Sequence, residues 1–359
     1  MIKKYHQYIT KVFLNNLIVI SIVFLVISFI ISIFEELKFF ENKNVEIYYP
    51  IILTLLNVPT VLYEIFPFIF LVAAKFFFIS LVDKDELEIL RNNGIDNLKI
   101  LQILSTISFV LGLIIIIFYY TFASNLKNQY LMFKNKFAGE NQYLAIVNEN
   151  GLWVKEKVND RVNIINANSF EGKTLENISI TQVDDKYKTK KTIIATKADI
   201  SNKTWLLKNG KIFSSNTPDE SFEDHYYNST LDNNILANLF SNLGSLNVFQ
   251  LHKLSNSYDI IGYSTTDIEI HLHKIYSLPF YLWIMTIVGS ILMIKLKFIK
   301  TKFFTVIIGV IISVIVYYLN YFSSLFGSND TIPVALSVWL PIIILFLSSL
   351  IGVIKINEN

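Results

Sequence analysis

No cysteine occurs anywhere in the chain. Neither a disulfide framework nor a thiolate metal site is therefore possible, and any exported part must hold together by its own apolar core. Charge is scarce as well: 17% of the 359 residues are Asp, Glu, Lys or Arg, and the net charge is +2. So small an excess argues against a nucleic-acid partner. No small-residue cleavage site follows the first apolar run, which therefore reads as an uncleaved anchor and not as a signal peptide. Ala167–Thr174 ends in Gly172-Lys173-Thr174 but lacks the first glycine of a P-loop, and no other segment is Walker-like. Glu269, His271 and His273 alternate in a way that could face one metal, yet polar side chains at a headgroup boundary are ordinarily solvated. The expectation is a chain with no nucleotide site, no metal site and no cofactor.

What is abundant is apolar sequence. Hydrophobic residues make up 53% of the chain, and the mean hydropathy is +0.46. That balance belongs to membrane proteins. Six runs carry it: Leu17–Phe34, Ile51–Val82, Ile100–Phe122, Ile275–Ile294, Phe303–Phe322 and Ile332–Ile354. Each reaches the roughly 17–25 residues a helix needs to cross a bilayer. Lys3, Lys4, Lys11, Lys84, Arg91, Lys99, Lys295, Lys297, Lys300, Lys302 and Lys355 fall on one side of a six-span arrangement, while Ser323–Thr331 on the other has no Lys or Arg. The positive-inside rule predicts that both termini are cytoplasmic.

Between the third and fourth spans the composition turns polar. Short β-type runs follow one another: Trp153–Glu156, Val162–Ala167, Ile178–Val183, Thr192–Ala195 and Thr204–Leu207. Asn150-Gly151, Glu171-Gly172 and Asn209-Gly210 read as turns between them, as an antiparallel sandwich or jelly roll requires. Ser245–His273 reads as a helical return to the membrane with Leu251, Leu254, Ile260 and Ile261 on its apolar side. The expected division is residues 1–125 for spans one to three, 126–245 for an all-β domain on the outer side, 246–273 for the return and 274–359 for spans four to six.

Polar groups interrupt the spans at a few points. Asn57, Glu64 and Lys75 are 7 and 11 residues apart, which keeps them within about 20° of one helical face. Such a stripe should look into a protein interface or hydrated cavity, either for interhelical hydrogen bonding or for transport. Pro59 and Pro67 predict a bend in the same helix. Phe34-Glu35-Glu36-Leu37-Lys38 closes span one with a charged cluster, suited to snorkelling or to meeting an anionic lipid group through Lys38. Between spans two and three, Asp83–Gly94 reads as a short helix capped by Asp83 or Asp85 and stopped by Gly94. Leu87, Leu90 and Arg91 are then expected on a face that either lies on the bilayer or receives a partner.

These pieces together resemble a known family. Val58-Pro59, Leu62–Phe68 and Asp85–Ile95 resemble the second span and coupling helix of the LptF/LptG permeases of lipopolysaccharide export. Gly151–Lys155, Leu175–Ile180 and Lys203–Leu207 are similar to strands of that family's periplasmic β-jellyroll, and Thr331-Ile332-Pro333 with Val338–Pro341 to the entry into its last span. Phe34–Lys38 and Tyr63–Pro67 look closer to the LptG branch than to LptF.

The resemblance implies a multi-pass subunit of the bacterial inner membrane, without an ATPase site of its own, that passes lipopolysaccharide to a periplasmic bridge. Implied partners are an LptF-like permease, an LptB-like ATPase dimer that receives Glu86, Leu87, Leu90, Arg91 and Gly94, and an LptC-like anchored protein. Lys38 and Lys134 match basic positions of the family that meet lipid, with Phe34, Tyr317 and Tyr321 as further lipid contacts. Ser32 departs from the pattern, standing where many relatives carry another Lys. From the residues alone, a membrane enzyme of the envelope or a scaffold remains open.

Overall fold

The computed structural model describes residues 4–41, 43, 45–137, 152–158, 161–171, 173–183, 189–214, 217–231, 233, 236, 242–261, 263–295 and 302–357. Asn150-Gly151, Gly172, Lys3, Lys297 and Lys300 lie outside them. The chain divides into two units: Met1–Lys127 with Glu269–Asn359, and Asn128–Ile268.

In hydrocarbon every backbone polar group must be satisfied within its own segment, so the apolar runs fold as helices. The helices are α1 (Lys4–Phe40), α2 (Tyr48–Asp83), the short α3 (Glu86–Asn92), and α4 (Asn97–Ile114), which runs through a π turn (Ile115–Tyr120) into α5 (Thr121–Asn135). Later come α6 (Val248–Ile261), α7 (Thr266–Lys295), α8 (Lys302–Ser328) and α9 (Val334–Asn357). Among the described residues six helical stretches are long and apolar enough to cross a membrane, the third being Asn97–Asn135. All six runs expected from hydropathy are present, each longer than its apolar stretch.

α2 is the centre of the helical unit, with 72% of its most apolar window buried against 22% for α1 and α8. Leu62, Phe66, Phe70, Phe77 and Leu81 of α2 meet Ile9 and Phe13 of α1, Ile100 and Leu104 of α4, Leu278 and Leu282 of α7, and Val316 of α8 in one cluster. Pro59 and Pro67 lie inside α2 without ending it.

The other unit holds one open, jellyroll-like antiparallel sheet. Its strands are β1 (Leu152–Val158), β2 (Arg161–Ala167), β3 (Ser169–Glu171), β4 (Thr174–Val183), β5 (Thr189–Asp199), β6 (Thr204–Ser214) and β7 (Thr217–Asn228). They lie in the order β1-β2-β4-β5-β6-β7, with β3 on β4. Inward residues such as Leu152, Val154, Ile165, Ile180, Ile193, Trp205 and Leu207 form its core, and Tyr258 and Tyr263 around α6 pack on it. Leu251 and Leu254 of α6 are buried as expected.

Three features differ from the sequence reading. Asn209-Gly210 is no turn: β6 runs through it, with Asn209 at φ +50° and the pairing stepping from Ala195↔Gly210 to Lys197↔Lys208. Asn177 of β4 has the same φ and falls in the same row, because Glu176↔Lys197 and Ile178↔Ala195 flank it. Left-handed residues on β4 and β6 therefore flank Thr196 of β5 in one crease, with the same register on either side of it. Gly210 is required there, since a Cβ would strike the Ile194 carbonyl and the Phe222 ring. Second, β7, with the sequence TPDESFEDHYYN, is a strand that the β-type runs did not include; four acids conceal its alternation but suit an edge strand. Third, the return helix breaks at residues 263–265, so His271 and His273 belong to α7.

Candidate functional site

The segment joining α2 to α4 is fastened on three sides. α3 is one short amphipathic helix whose Leu87 is 5% exposed and sits in the core of the helical unit. Leu90 packs against the same core. The Tyr8 hydroxyl of α1 lies within electrostatic reach of the Glu86 carboxylate. Arg91 donates through Nε at 3.2 Å and Nη2 at 2.9 Å to Asn97 Oδ1, the first residue of α4. Gly94 stops the helix at φ +78°, its carbonyl taking a bond from Lys99 Nζ at 2.8 Å.

The geometry revises the expected outer face. Leu87 and Leu90 point inward because a short helix beside a large apolar cluster buries its own apolar side first. Glu88, Ile89 and Asn92 are the exposed positions. Asp85 takes the N-cap position, but at φ +55° its side chain makes no capping bond; Asp96 performs that role for α4, accepting from the Lys99 amide at 2.9 Å.

Asn57, Glu64 and Lys75 do not meet at one place. Eighteen residues of α-helix separate the outer two by about 27 Å. Asn57 is buried and accepts from Lys127 Nζ of α5 at 2.6 Å. Glu64 lies within electrostatic reach of Lys127 and of Lys274 on α7, and Lys274 Nζ donates to Ser324 of α8 at 3.1 Å. Lys75 is buried against α8, its amine 2.7 Å from where a Cβ on Gly309 would stand.

The residues expected to touch lipid divide into two kinds. Lys38, Phe34, Tyr317 and Tyr321 are exposed, and the two tyrosines stack with ring centroids 6.4 Å apart. Tyr318 and Phe322 extend the same aromatic surface along α8. Lys134 is buried instead, its amine donating to Tyr130 Oη at 2.6 Å. Ser32 is buried in α1.

His271 and His273 diverge, as neighbours two apart on a helix must. His271 Nε2 is 3.0 Å from Tyr120 Oη, and Trp339 Nε1 donates to His273 Nδ1 at 3.3 Å. Among the described residues no group of three or more His, Cys, Asp or Glu could hold a metal.

Tyr8, Asn97, Lys127 and Lys274 are site residues that sequence reasoning missed. Lys127 carried one legible signal, a cation one turn or two beyond an apolar run. Tyr8 and Lys274 acquire their roles from helices far apart in sequence, and Asn97 from the turn that brings α4 back to Arg91.

A helical bundle with six candidate spans, interrupted by a β domain and with a short helix fastened between its second and third spans, defines a multi-pass membrane protein. The family described as lipopolysaccharide export system permease LptF/LptG matches residues 7–355, and the chain belongs to it. It is accordingly a multi-pass inner-membrane protein and a permease subunit of lipopolysaccharide export. No curated protein matches the chain.

Proposed function

We propose that the chain is the LptG-type subunit of an ABC transporter, paired with an LptF-like permease and driven by a separate LptB-like ATPase dimer, with an LptC-like protein alongside. The fastening of α3 is the observation that carries this reading. A helix tied to α4 through Arg91–Asn97 and, through Leu87, to the core that α1, α2 and α4 share cannot move without moving those spans. Its exposed Glu88, Ile89 and Asn92 are the surface offered to the ATPase, which puts α3 and both termini in the cytoplasm and the β unit in the periplasm. The Lys and Arg distribution supports the same orientation.

Extraction of a lipid with several acyl chains costs about 0.8 kcal/mol per CH₂ exposed to water. The sum is on the order of tens of kcal/mol, so the route must stay covered. The exposed apolar faces of α1 and α8, carrying Phe34, Tyr317 and Tyr321, form one wall of that route, Lys38 attracts the lipid's phosphates, and the apolar side of the sheet receives acyl chains next. Lys134 joins them only after leaving Tyr130. The chain carries no ATPase site and makes or breaks no bond.

Two measurements test this. Ile89→Glu is expected to lower recovery of the ATPase dimer with the purified chain about tenfold or more, since a charge at the centre of an apolar contact is costly. Expression of the chain is expected to rescue cells depleted of LptG and not cells depleted of LptF. The opposite rescue overturns the branch assignment, and an unaltered complex with Ile89→Glu overturns the role of α3.

A further inference from the structure

The third span is not one regular helix. At Ile115–Tyr120 its backbone takes a π turn, and no glycine or proline lies within those six residues to cause it. A π turn holds one residue more than an α turn, so everything beyond it is rotated by about 100° relative to an unbroken α-helix. Two adjacent side chains at its end, Tyr119 and Tyr120, both reach other helices. Tyr119 Oη donates to the Pro59 carbonyl of α2 at 3.1 Å, and its ring meets Phe66 with centroids 5.0 Å apart. Tyr120 bonds His271 of α7 at 3.0 Å and packs on Tyr63 at 5.1 Å. About two turns further along, the same register delivers Lys127 to Asn57 at 2.6 Å.

We propose that this π turn is a register switch in the third span, with Tyr119 and Tyr120 as the positioning residues that hold it. Conversion to α-helix rotates Thr121–Lys127 by about 100°, withdraws Lys127 from Asn57 and breaks both tyrosine bonds together. The backbone exchanges i to i+5 bonds for i to i+4 bonds throughout, so no peptide group is left bare in hydrocarbon, as it would be if the helix melted. The inference rests on the reading above that a separate ATPase moves α3. Asn97, which grips Arg91, is the first residue of the helix that carries the π turn, so a displacement of α3 enters this span directly.

The absence of native cysteine suits a distance measurement. Spin labels on Leu55→Cys of α2 and Phe122→Cys of α5, both exposed positions, are followed by pulsed electron resonance in the complete complex with its ATPase and second permease, the partners being cysteine-free. The expected result is a shift of the distance distribution between nucleotide-free and vanadate-trapped states. Deletion of Ile117 removes the extra residue while keeping both flanks in phase. It is expected to abolish the shift and lower ATP-driven lipopolysaccharide release about tenfold or more, with ATP hydrolysis retained.

Tyr119→Phe with Tyr120→Phe keeps the rings and removes the bonds, and is expected to populate the trapped-state distance without nucleotide. An unchanged distance in a wild-type complex that transports overturns the switch, as does wild-type transport by the Ile117 deletion or an unmoved distribution in the double Phe variant. A wild-type complex that hydrolyses ATP but moves no lipopolysaccharide overturns the transport reading instead, and the label distance then judges the switch alone.

Discussion

In the β unit a single buried carboxylate gathers five donors, whereas in the helical unit buried polar side chains meet in pairs between helices. Glu156 of β1, 0% exposed, accepts from Tyr227 Oη at 2.5 Å and Asn163 Nδ2 at 3.3 Å on one oxygen. Its other oxygen accepts from Ser229 Oγ at 2.7 Å and from the amide and hydroxyl of Thr230 at 3.0 Å each. β1 and β7 are the two ends of the sheet order, so this one side chain fastens the opposite edges of an open sheet. Helix-to-helix pairs such as Thr286–Ser108 at 2.8 Å and Lys127–Asn57 at 2.6 Å are dispersed along the bundle. A converging network fixes one arrangement, because losing its centre strands every donor at once. Dispersed pairs can be exchanged singly, which suits a part that moves.

The sharpest way to break that contrast is Glu156→Leu. It leaves buried hydroxyls and an amide without their acceptor and is expected to cost about 3–4 kcal/mol. Hydrogen exchange in the full chain should show β1 and β7 losing protection by on the order of 100-fold or more, while α2 keeps its own. Comparable loss in α2 would mean the two units are not energetically separate.

Next in size is the crease. Gly210→Val drives a side chain into the Ile194 carbonyl and Phe222 and should destabilise the sheet by about 1–3 kcal/mol. Phe222→Ala should recover only part of that, since the carbonyl remains; full recovery in a thermal melt would show that the ring alone demands glycine.

A smaller effect is expected across the membrane pair. A double-mutant cycle of Lys127→Met and Asn57→Leu should give a coupling of about 0.5–2 kcal/mol by thermal unfolding in detergent. A coupling as large as the loss from Glu156→Leu would erase the distinction between network and pair.

The least effect belongs to the exposed Asp199, whose carboxyl is held below the usual range by the hydroxyl and amide of Ser201. A folded-state value below the unfolded one means stability present at neutral pH and lost as pH falls through the folded value. Exchange of the Ser201 amide should therefore quicken in acid, and Asp199→Asn should flatten that dependence; solvent screening keeps the effect small.

Six spans, the β insertion between the third and fourth, and the short helix before Gly94 were all legible because each rests on local chemistry. An apolar run has one way to satisfy its backbone in hydrocarbon, and a left-handed stop needs glycine. Asn209-Gly210 misled for the same reason. Its local chemistry demands a left-handed residue, but whether that residue ends a strand or lies within one is settled by the strands on either side. β7 was hidden because an edge strand is selected for charge more than for alternation.

The polar stripe of α2 teaches the same lesson within the membrane. Asn57, Glu64 and Lys75 share a helical phase, as their spacing says, but phase does not choose the neighbour met at each level. Lys127, Lys274 and Gly309 make that choice, from 63 to 234 positions away by residue number.

For Glu156 the division is equally clear. Its position on β1 followed from the strand-like run beginning at Trp153, and alternation puts it on Val154's face, but nothing local said which donors would meet it there. The sequence by itself determined which segments lie in the membrane and where the β insertion falls, because burial of apolar surface and backbone bonding act over a few turns. Only the tertiary structure decided which polar groups meet, because a hydrogen bond is made within about 3 Å and that distance is set by the packing of segments the chain does not keep adjacent.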